Sequence, residues 1–187
     1  MSRAAAIRRI HILGASGSGT TTLARALADR LGHAQLDTDD FFWHPTDPPY
    51  QRSREAGERL DLLRDALAPH AAWVLSGSLC GWGDPLIPLF DLVIYLRLPA
   101  DIRVERLRAR EATRFGEAIA PGGRLHQGHE KFIAWAASYD GGDLSTRSRM
   151  RHGGWLAGLP CSVLRIEGDH TTERRVAMVI DAIGGAR

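Results

Sequence analysis

The sequence predicts an α/β fold: a parallel sheet of five strands in a three-layer α/β/α sandwich, with a helical lid at one end. Three observations predict it. Short apolar runs alternate with helical stretches along the chain. Gly-rich or acidic segments follow the runs. The stretch from Leu92 to Leu98 is nearly continuous in apolar residues, as in a strand buried on both faces. At 187 residues the chain suits one domain with a sizeable core, so a single domain over 1–187 is expected, with 115–155 as a lid-like insertion.

The elements follow in order. A first strand over about 9–13 runs into Gly14–Thr21, and a helix is expected from Thr20 to Leu31. A short second strand, 34–37, ends in Asp37-Thr38-Asp39-Asp40. After Phe41-Phe42-Trp43-His44 and a proline-rich turn, a helix over 53–68 carries Leu60, Leu63 and Leu67 on one face and stops at Pro69. A third strand, 72–75, leads to Ser76-Gly77-Ser78, and a fourth covers 92–98. A helix over 101–113 is rich in arginine, and 115–128 is Gly-rich and reads as a mobile loop. Helical segments are expected over 130–139 and 144–156, a last strand over 162–166, and a final helix over 172–183. Short connections between alternating elements imply a parallel sheet with ligands gathered beyond its carboxyl ends. The segments leaving those ends, 14–21, 37–40, 76–78 and 168–170, therefore read as one site.

Gly14-Ala15-Ser16-Gly17-Ser18-Gly19-Thr20-Thr21 has the spacing of a phosphate-binding loop: Gly, four residues, Gly, Lys, then Ser or Thr. Thr20 stands at the lysine position. Strand before and helix after complete the context, so backbone N–H groups from Ser16 to Thr21 and the helix N-terminus would hold phosphate oxygens. A dinucleotide fold would want an acid about 20 positions on. Asp37 meets that spacing, so this alternative stays open, although the paired hydroxyls Thr20-Thr21 favour a metal-bound phosphate chain.

Composition excludes other classes. No apolar run approaches the roughly 20 residues of a membrane helix. Met1–Ala6 is basic but lacks the apolar stretch of a secretory signal. Cys80 and Cys161 have no partner motif and suit reduced thiols in a cytoplasmic protein. Net charge is +2, which gives no general argument for nucleic acid, and with no nucleic-acid motif in the sequence no such partner is expected. The chain has one lysine, Lys131. A GC-rich genome would favour Arg over Lys, but it does not predict Thr20.

Candidate residues accompany the loop. Among Asp37, Asp39 and Asp40 a carboxylate can take a hydroxyl proton or hold Mg²⁺ through water, while Asp39 or Asp40 could equally cap the next segment. Trp43 and Tyr50 suit an aromatic wall or the core. Arg103, Arg106, Arg110 and Arg114 are spaced by 3, 4 and 4, which puts four guanidinium groups on one helix face. Arg52 and Arg54 lie where an acceptor phosphate or carboxylate could be held, or form a solvated helix start. Ser76 and Gly77 are further substrate contacts. His126, His129 and Glu130 lack a firm metal pattern.

On Gly14–Thr22, the acids of 37–40 and the arginine helix, the sequence resembles the nucleotide-kinase branch of P-loop proteins: adenylate, cytidylate and shikimate kinases. The resemblance covers nearly the whole chain in element order. Some cytidylate kinases of this branch read Gly-Ser-Gly-Thr-Thr-Thr, like Gly17–Thr22 here, which implies that the missing lysine does not by itself end catalysis. The resemblance implies a P-loop NTPase fold and an ATP-dependent phosphotransferase using Mg²⁺ on a nucleoside monophosphate or other small acceptor. It implies that residues 14–22 bind ATP and that Gly168 and Asp169 pack its base. Thr21 and Asp39 would hold metal, Asp39 would orient or deprotonate the acceptor, and Arg106 and Arg110 would clamp phosphate from the lid. Rival readings are a nucleotide-binding sensor or interaction protein without kinase activity, and an NTP hydrolase.

Overall fold

A computed structural model describes residues 7–185; Met1–Ala6, weighed above as a possible signal, lie outside the described residues. Five strands, β1 (Arg9–Gly14), β2 (Ala34–Asp37), β3 (Trp73–Ser76), β4 (Leu92–Arg97) and β5 (Ser162–Glu167), form one parallel sheet in the order β2-β3-β1-β4-β5. Seven α-helices accompany them among the described residues: α1 (Thr20–Leu31), α2 (Thr38–Phe42), α3 (Ala56–Leu67), α4 (Ala100–Phe115), α5 (His126–Ala137), α6 (Arg149–Ala157) and α7 (Thr172–Gly185).

Successive side chains of a strand point to opposite faces, and both faces here are apolar. Ile10 and Ile12 of β1 join Ile94 of β4, Leu23 and Leu27 of α1 and Val179 of α7 in one core. Leu13, Leu75 and Val93 join Leu63 and Leu67 of α3, Phe90 and Leu156 of α6 in the other. Burying a leucine such as Leu63 fully contributes about 1.5–3 kcal/mol. The result is the three-layer α/β/α arrangement expected from the sequence. A small third cluster, Leu107, Ile133 and Ala136, fastens α5 to α4.

Two features aim the site. β1 lies at the centre of the sheet and runs straight into the glycine loop. Register then gathers the acids: Ser76 pairs with both Ile12 and Asp37, so the ends of β1, β2 and β3 lie side by side. α1 closes at Gly32, whose left-handed φ of 68° lets its N–H reach Ala28 O.

Three expectations need correction. The segment 115–128 is not an open loop: a 3-10 turn over 116–119 is followed by α5 from His126, and Leu125 N donates to Ala118 O at 2.8 Å. The helix expected from residue 144 starts at Arg149. Ser148 caps it by accepting from Arg151 N, and Asp143 holds the preceding turn through Ser145. The helix expected from Ser53 starts at Ala56, because Glu55 is extended. Among the described residues no helix is long and apolar enough to cross a membrane.

Candidate active site

The loop needs its glycines for two different reasons. Gly17 and Gly19 have φ of 82° and 89°, a region that costs other residues roughly 1–3 kcal/mol. Gly14 needs space: a Cβ there would lie 2.5 Å from Ser18 Oγ and 2.7 Å from Leu96 O. Three arginines hold the loop's carbonyls. Arg147 Nη2 donates to Gly14 O at 2.7 Å, Arg103 Nη1 to Ser16 O at 3.4 Å, and Arg175 Nη1 to Ser18 O at 2.8 Å. Arg103 is fully buried and spends its other donors on Leu98 O, Ala136 O and Asp140. Arg147 Nε and the Nε and Nη2 of Arg175 are buried with no hydrogen-bond partner among the described residues. Buried cationic donors left open next to a glycine cradle suit an anion.

Asp37 ties the loop to the ends of β2 and β3. Its Oδ2 accepts from Thr21 Oγ1 at 2.7 Å and from Ser76 Oγ at 2.6 Å, while its Oδ1 accepts from Asp39 N at 3.0 Å and so caps α2. A hydroxyl and a carboxylate are the hard oxygen donors that Mg²⁺ takes when it keeps several waters and phosphate oxygens. Ser76 was a candidate substrate contact. It is fully buried and spent on Asp37, so it supports the site from behind. Gly77 (φ 109°) brings the backbone against Thr38, where a Cβ would collide with Oγ1.

Asp39 opens onto a cavity of about 200 Å³ whose lining includes Thr38, Trp43, Ser78, Trp82 and Arg147. Asp39 is exposed towards the cavity, yet the protein packed round its carboxylate still removes part of its water. Burial therefore raises its pKa, the charges of Asp37 and Asp40 push the same way, and Arg147 and Arg110 pull it back. Asp40 is exposed; its pKa is raised by burial and by Asp37, and lowered by Arg25. Trp43 lines the cavity and meets Tyr50 edge-on at 5.9 Å; Tyr50 itself is exposed and is not among the lining residues. A larger groove of about 460 Å³ between α1 and α7, lined by Arg30, Val176 and Ile180 among others, includes no loop residue.

The arginines of α4 do not form one open face. Arg103 faces inward. Arg106 pairs with Asp169 at 2.6 Å, which joins α4 to the segment expected to hold the base. Arg110 pairs with Glu111 at 2.9 Å, and Arg114 lies over the rings of Tyr50 and Phe115. Arg54 is no longer available to an acceptor: it donates to the carbonyls of Asp40, Phe41 and Trp43 and pairs with Glu58 at 3.1 Å, bracing α2. Arg52 is exposed. Gly168 takes φ 95°, and its N–H donates to Arg97 O at 3.0 Å.

Residues 10–118 match the family described as an AAA domain. The chain belongs to the P-loop nucleotide kinase-like family. Family members with which it can be compared include the uncharacterised Bacillus subtilis (strain 168) protein YqaC, 46% identical over 93% of this chain and 96% of that protein. The cytidylate kinase of Haloarcula marismortui is 30% identical over 58% of this chain and 62% of its own length, so that match spans less than two thirds of the kinase. Among solved structures, shikimate kinase from Acinetobacter baumannii, in complex with shikimate, superimposes with a TM-score of 0.55 at 15% identity. That match covers 97% of this chain and 95% of that one, a likeness of fold.

Sequence reasoning missed Arg175 and His152, placed Ser78 at the site only as part of 76–78, and misread Arg103. A signal existed for three of them. Arg103, His152 and Arg175 each stand four residues before a buried Leu107, Leu156 or Val179, on the inward stripe of a helix. A polar residue there must find partners inside the protein.

Proposed function

We propose that the chain is an ATP-dependent phosphotransferase acting on a small hydroxylated acceptor that carries an anionic group. The observation that carries this reading is the meeting of loop and cavity at one place: Arg147 touches Gly14 O, lines the cavity, and faces the Asp37 and Asp39 charges. Residues Ser16 to Thr21 would hold the β-phosphate of ATP through backbone N–H groups, with Gly14, Ala15 and Thr22 shaping the loop. Gly168 and Asp169 would flank the base. Thr21 and Asp37 would hold Mg²⁺, which when bound supplies positive charge to the phosphate chain. This moves the metal role from Asp39 to Asp37, the carboxylate that Thr21 bonds. Asp39, its pKa raised, would then orient or deprotonate the acceptor hydroxyl.

Arg147 and Arg175 are the cations that answer for Thr20. Both hold carbonyls of the loop, and both keep buried donors unspent. Arg106 and Arg110 would close over the transferring group as residues 115–155 move as a lid, Arg106 after leaving Asp169. Arg147 and Arg151 both line the cavity, which supports an anionic acceptor. A volume of about 200 Å³ lies below the ~300–1,000 Å³ of sites for drug-sized ligands, which supports a single-ring or short-chain acceptor over a nucleoside monophosphate.

The test is a phosphoryl-transfer screen with ATP and Mg²⁺ over hydroxycarboxylates, sugar acids, sugar phosphates and nucleoside monophosphates. ADP release stimulated by one class of acceptor is the expected result. A second reading, a nucleotide sensor, draws on Thr20. Tight ATP binding with no acceptor-dependent turnover across the screen would favour it.

A further inference from the structure

Four side chains that the loop and Asp37–Asp39 do not use form one hydrogen-bonded chain. Tyr95 Oη lies 2.9 Å from Tyr139 Oη, which lies 2.8 Å from His152 Nδ1, and His152 Nε2 lies 3.1 Å from Ser78 Oγ. Tyr95, Tyr139 and His152 are buried; Ser78 and His152 line the acceptor cavity. We infer that Ser78 is a specificity-determining hydrogen-bond donor of that cavity, its proton aimed at a carboxylate or phosphate oxygen of the ligand by this buried chain. The inference rests on the acceptor reading of the cavity.

Proton bookkeeping gives the direction. Three hydroxyls and a neutral imidazole carry four protons for three links, so one proton points out of the chain. With the imidazole proton on Nδ1, His152 donates to Tyr139, Tyr139 to Tyr95, and Ser78 to Nε2. The spare proton is then that of Tyr95, which is 4% exposed and has no other hydrogen-bond partner among the described residues. With the proton on Nε2 the chain reverses. Tyr95 donates to Tyr139, Tyr139 to Nδ1, and Nε2–H to Ser78, whose own proton is left for the cavity. The second arrangement leaves no buried donor orphaned.

The surroundings of His152 favour the neutral imidazole. Burial pushes His152 down to about 3, and the charges of Arg147, His11 and Arg151 act the same way. With its proton on Nε2 the imidazole has no lone pair facing Ser78, so the pair is not arranged as an activated nucleophile. It is a fixed donor. Ser78, Arg147 and Arg151 then present N–H and O–H groups to the cavity, and Asp39 is the carboxylate facing them. A ligand oxyanion belongs with the three donors and its hydroxyl with Asp39. Among the described residues the adjacent Cys80 thiol, a weak acceptor, is a competitor for that proton.

Two measurements on the full chain test this. In the ¹⁵N spectrum of histidine-labelled protein, with His152 assigned by its loss in His152→Asn, the expected state is Nε2–H with Nδ1 as acceptor. In calorimetry with a non-hydrolysable ATP analogue on the loop, benzoate and phenyl phosphate serve as oxyanion probes. Ser78→Ala should weaken at least one of them about tenfold, as loss of a hydrogen bond to a charged group does, and Ser78→Thr should restore it. Affinity for the ATP analogue should not change. An effect on benzoate alone assigns a carboxylate, on phenyl phosphate alone a phosphate, and on both an oxyanion of either kind. An Nδ1–H tautomer, equal probe affinity in Ser78→Ala and the parent, or no binding of either probe overturns the inference. Neither measurement needs turnover, so a chain that binds as expected yet transfers no phosphoryl group removes the kinase reading and leaves Ser78 in place.

Discussion

The glycine loop and the cavity beside it adjoin at Asp37–Asp39 and are built by opposite means. The loop works through backbone. Its shape comes from positive φ at Gly17 and Gly19, and its carbonyls are tied down by Arg103, Arg147 and Arg175. The cavity works through side chains drawn from α2, the segment after β3, α5 and α6. Changes in the first region should act by shape and be nearly all-or-none. Changes in the second should act by chemistry, be graded, and report on what the ligand carries.

The largest effect is expected from Gly19→Val. The new side chain would sit at φ 89° and press on Arg175 Nη1, 3.0 Å from a Cβ. ATP affinity by calorimetry should fall at least a hundredfold, given strain of roughly 1–3 kcal/mol and the lost N–H contacts. Intact affinity would return the loop to an ordinary strand-to-helix turn.

Arg147 stands in both regions, so Arg147→Ala should break both. Acceptor-stimulated turnover should drop about 10³-fold, the lower end for a phosphate-clamping arginine, and Arg147→Lys should recover only part of it because lysine lacks the planar fork. A loss confined to acceptor KM would limit Arg147 to the cavity. Arg106→Ala and Arg110→Ala should each cost roughly 10²-fold in kcat, less than Arg147, since both are exposed and engaged elsewhere before any closure. Wild-type turnover in both would make them surface ion pairs.

Thr20→Lys sharpens the comparison from the loop side. With Arg147 and Arg175 already there, an added ammonium should change ATP affinity less than about threefold and leave turnover equal or lower, far short of the ~1.5–3 kcal/mol of a new hydrogen bond to a charged group. A large gain in affinity, in a parent with no turnover on any acceptor, would establish the sensor reading.

The last expectation concerns pH and bears on stability instead of ligand affinity. His11 in the loop's own strand is fully buried, with Nδ1 3.1 Å from Leu75 O; burial pushes it down to about 4, with that bond opposing. His152 beneath the cavity is pushed down to about 3. Both folded values lie below the ordinary 6.5, so the unfolded chain binds protons first on acidification. Stability should be flat above pH 6.5 and fall from there towards pH 4 and below. A melting temperature unchanged between pH 7 and 4 would mean that neither imidazole is held neutral.

The two regions also differed in how far they could be read from the chain. The sheet, the loop and Asp37–Asp39 were legible because each is local: a strand, a glycine pattern and a helix start are written in consecutive residues. The cavity was not. Trp82, Trp135, Arg151 and His152 meet there only after α5 and α6 fold back, and no spacing in the sequence encodes that. Arg54 and Ser76 were misread for a related reason. Each has the right chemistry at the right strand or helix end, but its partners, the α2 carbonyls and Asp37, are fixed by packing. Arg103 looked like its exposed neighbours because helical spacing gives a face and not a depth.

One feature of the cavity has an optical consequence. Trp43, Trp82 and Trp135 line it, three of the chain's five tryptophans. A molecule that enters therefore changes the surroundings of most of the protein's own fluorophores. The emission spectrum becomes a label-free signal of occupancy, and an acceptor could be found by titration before its chemistry is known or any product is assayed.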